Sequence, residues 1–397
     1  MNRKPKPFRR QSRVVWLLCL CALGLRLAGV ADGAAGAGFD WPQWRGPDRD
    51  GVSKETDWSW QWPKAGLPVK WRAKVGYGYS SVSAANNRVY TMGNLDNTDH
   101  IICLNAFTGI QLWRYSYPCS PFDPQGYSGP RCTPTVDGRL VFTVSRLGHV
   151  ICLNADTGAL VWSRNLLGDF SGNLPTWGYS GSPLAIGNLL IVESGAANRS
   201  VIAFNKLTGA VVWANGNDLA GYSSPMPFKL GTYDGVAVFS ANAVTGRLVN
   251  NGAVLWNFAW KTTDQVNAAT PVIYEDKLFV SSGYNSGCGL YVIGNRFARR
   301  IWANRNMRNH VSSCVRVGGH LFGFDESQLR CLDMFTGLVK WSTTAYGKGS
   351  LMTANNKLIV LSEKGVLAIV EADQWKYLEH SRIQAVGGSS TWAPPVL

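Results

Sequence analysis

The chain has 397 residues, of which 46% are hydrophobic, 12% aromatic and 16% charged. This composition can bury a large apolar core and excludes intrinsic disorder over residues 67–397. The formal net charge is +14, but seven of the 39 basic residues and none of the 25 acidic ones precede Asp32, which leaves 32 basic residues against 25 acidic ones. Because this excess is modest and no dense Lys/Arg block occurs, the sequence argues against nucleic-acid binding.

The first 31 residues have the organisation of an export signal. A basic start that includes Arg9 and Arg10 precedes an apolar run at residues 14–25, and small residues follow it. The run is too short to span a bilayer. We therefore expect residues 1–31 to be a secretory signal peptide and the protein to be periplasmic or secreted.

Residues 32–66 form an irregular segment rich in Trp, Pro and Gly. We expect it to pack on the surface of the following domain as a lid or brace, with Trp41 and Trp44 as anchors. Asp48 and Asp50 resemble half of a calcium loop, but the closing Glu at the required spacing is missing. The sequence therefore favours a turn held by Asx side chains over a metal site.

From residue 67 onwards a tryptophan recurs at the end of β-forming runs, on average every 45 residues. The seven positions are Trp71, Trp113, Trp162, Trp213, Trp256, Trp302 and Trp341. Thr-Gly pairs precede several of them at a fixed offset, as at residues 108–113 and 157–162. A period of about 40 to 50 residues built from short strands is typical of a β-propeller blade.

Residues 130–167 are the clearest repeat unit. Period-2 runs at residues 130–136, 139–144, 149–154 and 159–164 predict four strands, and Gly-containing turns separate them. The same reading places inner strands near residues 80, 131, 181, 223, 268, 311, 350 and 391. The eighth blade is incomplete, because the chain ends soon after its first strand. We favour truncation of a longer pattern over closure by a thin two-stranded blade.

The repeat resembles that of the PQQ-binding-like β-propellers, which include quinoprotein dehydrogenases and the outer-membrane assembly factor BamB. The similarity lies in the Leu-Asn-Ala-x-Thr-Gly-x-x-x-Trp pattern at residues 104–113 and 153–162. The segment at residues 41–47 is similar to that of exported BamB-like propellers. The resemblance implies an all-β, eight-bladed propeller of four-stranded antiparallel blades over residues 67–397.

The resemblance leaves several functions open. Quinoprotein dehydrogenases need calcium, an Asp base, a stacked Trp and often an adjacent Cys-Cys disulfide, and this sequence has no Cys-Cys pair. No Gly-x-Ser-x-Gly or His-Glu-x-x-His motif occurs either. We therefore expect a non-catalytic exported scaffold without a cofactor, which binds envelope proteins and meets the membrane only indirectly. The alternatives are an oxidoreductase that uses PQQ with calcium and a glycan-binding propeller.

A ligand site would lie at a mouth of the central channel, where the inner strands begin. The polar and aromatic candidates there are Tyr79, Tyr127, Arg131, Trp177, Tyr179, Tyr222, Asn309, His310 and Trp392. Such side chains suit stacking on a flat ring, a sugar or a peptide. The alternative is that the tyrosines and Trp177 only fill gaps between blades near the axis. Cys119 and Cys132 flank a Pro/Gly-rich loop, which makes this pair the candidate for a disulfide.

Overall fold

The computed structural model describes residues 16–18, 39–63, 65–121, 126–388 and 390–397. The predicted signal peptide lies outside these residues except for a short strand at its centre. The first strands along the chain are β1 (Trp16–Leu18), β2 (Val52–Ser53) and β3 (Arg72–Lys74). Strands β1 and β3 pair antiparallel, whereas β2 runs parallel to the first strand of blade 7, which is defined below.

Seven sheets of four antiparallel strands follow, and we number these blades in chain order. Blade 1 comprises β4 (Ser83–Ala85), β5 (Arg88–Leu95), β6 (Thr98–Asn105) and β7 (Gln111–Pro118). Blade 2 comprises β8 (Thr135–Asp137), β9 (Leu140–Val144), β10 (His149–Asn154) and β11 (Leu160–Asn165). Helix α1 (Leu166–Phe170) connects it to blade 3, which comprises β12 (Leu184–Ile186), β13 (Leu189–Ala196), β14 (Arg199–Asn205) and β15 (Val211–Asn215).

The remaining blades repeat the same order from inner to outer strand. Blade 4 comprises β16 (Met226–Leu230), β17 (Tyr233–Phe239), β18 (Ala243–Leu248) and β19 (Val254–Ala259). A single 3-10 turn at Thr263–Gln265 precedes blade 5, which comprises β20 (Val272–Tyr274), β21 (Lys277–Ser282), β22 (Gly287–Gly294) and β23 (Phe297–Asn304). Blade 6 comprises β24 (Val315–Val317), β25 (His320–Asp325), β26 (Gln328–Asp333) and β27 (Val339–Thr343). Blade 7 comprises β28 (Gly349–Ala354), β29 (Lys357–Ser362), β30 (Val366–Glu371) and β31 (Glu379–Gln384).

The repeated tryptophan joins each blade to the next one. The Trp162 indole, on the outer strand of blade 2, donates to the Lys206 carbonyl in blade 3 over 2.9 Å. Its ring lies against Gly209, where an added Cβ would come within 2.7 Å of it. Gly209 also has a φ of +69°, which an L side chain rarely adopts. The Thr-Gly-x-x-x-Trp spacing is therefore the sequence of one interlocking joint, repeated around the ring.

The core lies between the facing sheets, where most residues of the second and third strands are buried because both faces of a blade are covered. Phe142, Phe279 and Phe322 lie on second strands and Phe204 lies on a third strand, and all four are fully buried. Cys103, Cys152 and Cys331 lie on third strands and are buried as free thiols. The propeller prediction is thus confirmed by both the sheets and their packing.

Blades 7 and 1 are joined across the incomplete eighth position by two chain segments. The Trp71 indole, just before β3, donates to the Ala106 carbonyl of blade 1, as an outer strand of an eighth blade would. The C-terminal segment takes the inner position, where Ser350 of blade 7 donates to Ala393 and Ser81 of blade 1 donates to Pro394. Residues 391–397 form no strand. The incomplete last blade is therefore confirmed, and irregular backbone fills its inner edge.

One prediction about the cysteines is wrong. Cys119 and Cys132 are both free and buried, so the structure does not contain the candidate disulfide. The Cys132 thiol instead donates to the Thr133 carbonyl over 3.3 Å and accepts from the Val144 amide. Burial raises the pKa of each thiol to about 12. Among the described residues, no helix is long and apolar enough to cross a membrane.

Candidate binding site at the open mouth of the channel

The central channel has two different ends. All inner strands run in the same direction along the channel. The residues that precede the inner strands lie at one end, which we call the open mouth. The last residues of the inner strands lie at the other end, which we call the plug side. Residues 41–53, which we call the plug, lie across this second end and contact six blades.

Backbone hydrogen bonds fix the plug around the ring. The Trp41 amide and carbonyl pair with Ala84 of blade 1, and Val136 of blade 2 donates to the Pro42 carbonyl over 2.7 Å. Across the incomplete eighth position, β2 pairs with residues 353–354 of blade 7. The lid predicted from sequence is therefore inserted into the channel end, which closes it with the protein's own backbone.

Two arginines of the plug reach into the channel itself. Arg49 has no exposed surface and donates to the carbonyl oxygens of Ser182 and Pro183, each over 3.1 Å. Arg45 donates to the Cys314 carbonyl over 2.6 Å on the other side of the axis. Burial lowers the pKa of both groups, but a guanidinium remains protonated at neutral pH. The plug thus holds two positive charges among backbone carbonyls.

The predicted Asx turn is present in the plug. The Asp50 carboxylate accepts a hydrogen bond from the Val52 amide over 2.9 Å. Asp48 points to solvent, where it pairs with Lys54 over 2.9 Å. The two carboxylates thus serve a turn and a surface ion pair.

The open mouth has an aromatic half. Trp392 and Tyr79 stack with ring centroids 5.1 Å apart and planes at 23°, and Tyr127 lies 5.1 Å from the same indole. Arg131 donates to the carbonyls of Tyr127 and Trp177. These bonds join the segments that precede the inner strands of blades 2 and 3. All five side chains are partly exposed. They form a rigid, half-buried stacking surface around one side of the mouth.

Trp177 continues this surface towards blade 4. Its ring meets the edge of Tyr222 at a centroid distance of 5.8 Å, and its amide donates to the Tyr222 hydroxyl over 3.4 Å. Burial raises the pKa of Tyr222. The phenol is therefore neutral at physiological pH and keeps a proton that it can donate.

The opposite half of the mouth is polar. Lys348 donates to Nδ1 of His310 over 3.0 Å, and its ammonium lies 4.0 Å from the Glu326 carboxylate. Burial, and then the charge of Lys348, lowers the pKa of His310 to about 4. Because an ammonium group only donates, the neutral imidazole carries its proton on Nε2. Tyr284 packs edge-on against this ring at 4.7 Å, and its amide donates to Glu326 over 3.0 Å.

The structure places seven of the nine predicted site residues at this mouth. Tyr179 and Asn309 are instead buried: the Tyr179 hydroxyl donates to Ser194 over 2.7 Å, and the Asn309 amide donates to Phe324 over 3.0 Å. These two side chains serve packing within the blades. Sequence reasoning missed Tyr284 and Glu326, because they lie in turns between second and third strands rather than ahead of inner strands. A search of those turns for polar and aromatic residues would have found both.

The residues do not fit a calcium-bound quinone. In the part of the chain that the structure describes, no three His, Cys, Asp or Glu side chains come together as a metal-binding set. Arg131 and Lys348 bring positive charge to the mouth, which disfavours a second cation there. At the other end, Arg45 and Arg49 occupy the channel. We therefore derive no chemical step through such a cofactor.

Comparisons with known proteins agree with this architecture. The family model described as outer membrane protein assembly factor BamB matches residues 98–343. No curated protein matches the chain. Among solved structures, BamB from Moraxella catarrhalis is similar with a TM-score of 0.54 and 16% identity, over 75% of this chain and 88% of its own. The designed protein Ika8 is similar with a TM-score of 0.55 and 14% identity, over 81% of this chain and 91% of its own.

An enzyme of related fold is also similar. Quinohemoprotein alcohol dehydrogenase ADHIIG from Pseudomonas putida HK5 has a TM-score of 0.63 and 12% identity, over 90% of this chain and 74% of its own. At such identities, likeness between structures shows the fold alone. The family model, however, covers more than half of the sequence and includes six of the repeated tryptophans. The chain therefore belongs to the family of the outer membrane protein assembly factor BamB.

Proposed function

We propose that this protein is a non-catalytic, exported propeller that acts as a protein-binding or assembly scaffold in the cell envelope. One observation carries the proposal: the channel is closed by the plug at one end and offers a stacking surface with neutral polar groups at the other. Such a site can hold a ligand but supplies no activated nucleophile. Membership of a family described as an assembly factor supports the same function and an exported location.

The partner that this mouth suits best is an extended or turn-like protein segment. Tyr79, Tyr127 and Trp392 form a cluster of stacked and tilted rings, and aromatic anchors of this kind carry much of the binding energy at protein interfaces. Lys348 and Glu326 on the opposite side supply one charge of each sign. The segment would therefore bring an apolar side chain to the aromatic half and polar groups to the other half.

Site-specific photo-crosslinking in living cells tests this proposal. A photoreactive amino acid at Trp177 places the probe at the mouth, and the same residue at Val212 serves as a control, because Val212 is 51% exposed on the outer strand of blade 3. We expect discrete adducts with envelope proteins from position 177 and not from position 212. Adducts from neither position, in a folded and exported protein, would contradict the proposal.

A further inference from the structure

The turns between third and outer strands form a rim on the plug side of the ring. In blades 5, 6 and 7 these turns are residues 295–296, 334–338 and 372–378. Trp302 of blade 5 donates to the Met334 carbonyl over 3.1 Å, and Trp341 of blade 6 donates to the Asp373 carbonyl over 2.6 Å. Blades 5, 6 and 7 are therefore neighbours in the ring, and we call these three turns the rim.

Large apolar side chains project from the rim into solvent. Trp375 is 74% exposed, more than any other large hydrophobic residue in the described part of the chain. Leu338 is 62% exposed, and Phe297 and Phe335 are 50% and 47% exposed. Single exposed apolar residues are common on protein surfaces. Here, however, Phe335, Leu338 and Trp375 lie in the turns of two adjacent blades, and Phe297 begins the outer strand of the blade beside them.

Basic side chains without acidic partners stand beside these apolar residues. The Lys340 ammonium lies 5.4 Å from the centre of the Trp375 ring. Lys376, Arg296 and Arg299 are exposed, and among the described residues none of these four cations forms an ion pair. The carboxylates in the same turns accept hydrogen bonds from backbone amides instead. Asp333 accepts from Phe335 and Thr336, and Asp373 accepts from the Trp375 amide over 2.6 Å.

We propose that the rim of blades 5 to 7 binds the surface of an anionic lipid bilayer. Trp and Phe side chains on protruding turns can enter the interfacial layer, where an amphipathic indole is at its most stable. The flanking Lys and Arg side chains then meet the phosphate groups of acidic lipids. This association would be direct, beyond the indirect contact that the sequence led us to expect.

The shape of the rim favours lipid over a protein partner. A stable protein interface buries about 800 Å² on each side around a close-packed centre. The rim instead presents separate side chains on convex turns, with cations between them. A fluid surface adapts to such points, whereas a rigid partner would need a matching pocket for each one. The propeller would then lie with its plug towards the bilayer and its open mouth towards its partners.

Vesicle co-sedimentation of the exported protein tests the proposal. The probes are vesicles of phosphatidylcholine alone and vesicles that contain phosphatidylglycerol at about one third of the lipid. One variant combines Phe335→Ser with Trp375→Ser, and a second combines Lys340→Glu with Lys376→Glu. Leu174→Ser is the matched control, because Leu174 is 40% exposed in a connection on the mouth side.

We expect binding to the anionic vesicles that weakens with added salt and is at least about tenfold weaker for each double variant. The Leu174→Ser control should bind like the unaltered protein. All substituted side chains are exposed, so melting temperatures should agree and exclude misfolding. Equal binding by all variants, or no binding to anionic vesicles at low salt, would overturn the proposal. A protein adduct in place of a lipid adduct from a photoreactive group at position 375 would overturn it as well.

Discussion

The guanidinium group of Arg49 donates to the backbone carbonyl of Pro183, 134 positions along the chain, from inside the central channel. This contact links the segment before the propeller to the residues that precede the inner strand of blade 3. Arg45 makes the corresponding contact with blade 6. The plug thus stabilises the ring of blades from inside the channel, in addition to the joints between neighbouring blades. This second set of contacts is important because the eighth blade is incomplete.

Removal of the Arg49 side chain should destabilise the protein. In Arg49→Ala, the buried Ser182 carbonyl loses its donor, and the Pro183 carbonyl keeps only the Thr135 hydroxyl. We expect a loss of about 2–4 kcal/mol in the free energy of unfolding, measured by urea titration. Lys54→Ala is the control: it breaks an exposed pair with Asp48 and should cost at most about 0.5 kcal/mol. An equal effect of both substitutions would contradict the role of the plug.

The joint between blades predicts a difference between two glycine substitutions. Both Gly209 and Gly187 have positive φ, at +69° and +54°, so alanine is strained at either position. An added Cβ meets the Trp162 ring at 2.7 Å at Gly209 and nothing within 4 Å at Gly187. We expect Gly187→Ala to cost about 1 kcal/mol and Gly209→Ala at least about 2 kcal/mol more. Thermal unfolding of the two variants side by side measures the difference. Similar melting temperatures would contradict the close contact between Gly209 and Trp162.

His310 should make stability depend on pH in a defined window. Burial lowers its pKa to about 4 in the folded state, against 6.5 when unperturbed. The unfolded chain therefore binds more protons between these values, so this contribution is complete above pH 6.5 and is lost as the pH falls towards 4. Because the ring is partly exposed, we expect a loss on the order of 2 kcal/mol. Urea titrations between pH 4 and 7 should show this slope, and His310→Gln should remove it. A slope unchanged in the variant would show that another group is responsible.

The sequence predicts the fold well because the joint between blades is local. Trp162 and Gly209 belong to the same motif in consecutive repeats, so the pattern carries the contact itself. The mouth is partly predictable, since Tyr79 and Trp177 precede inner strands that all begin at one end. The plug is not predictable in this way, because the contact of Arg49 with blade 3 joins distant parts of the chain. Cys119 and Cys132 show a similar limit: spacing around a loop does not determine whether two buried thiols meet.

Calorimetric titration with PQQ, with and without calcium, tests the central claim that this propeller is a scaffold and not a quinoprotein enzyme. The plugged channel, and the lack of a metal-binding set of side chains among the described residues, predict no heat of binding and no shift in melting temperature, in a sample whose circular dichroism shows a folded β protein. Saturable one-to-one binding that requires calcium and is lost in Trp177→Ala would contradict the claim and make the mouth a cofactor site.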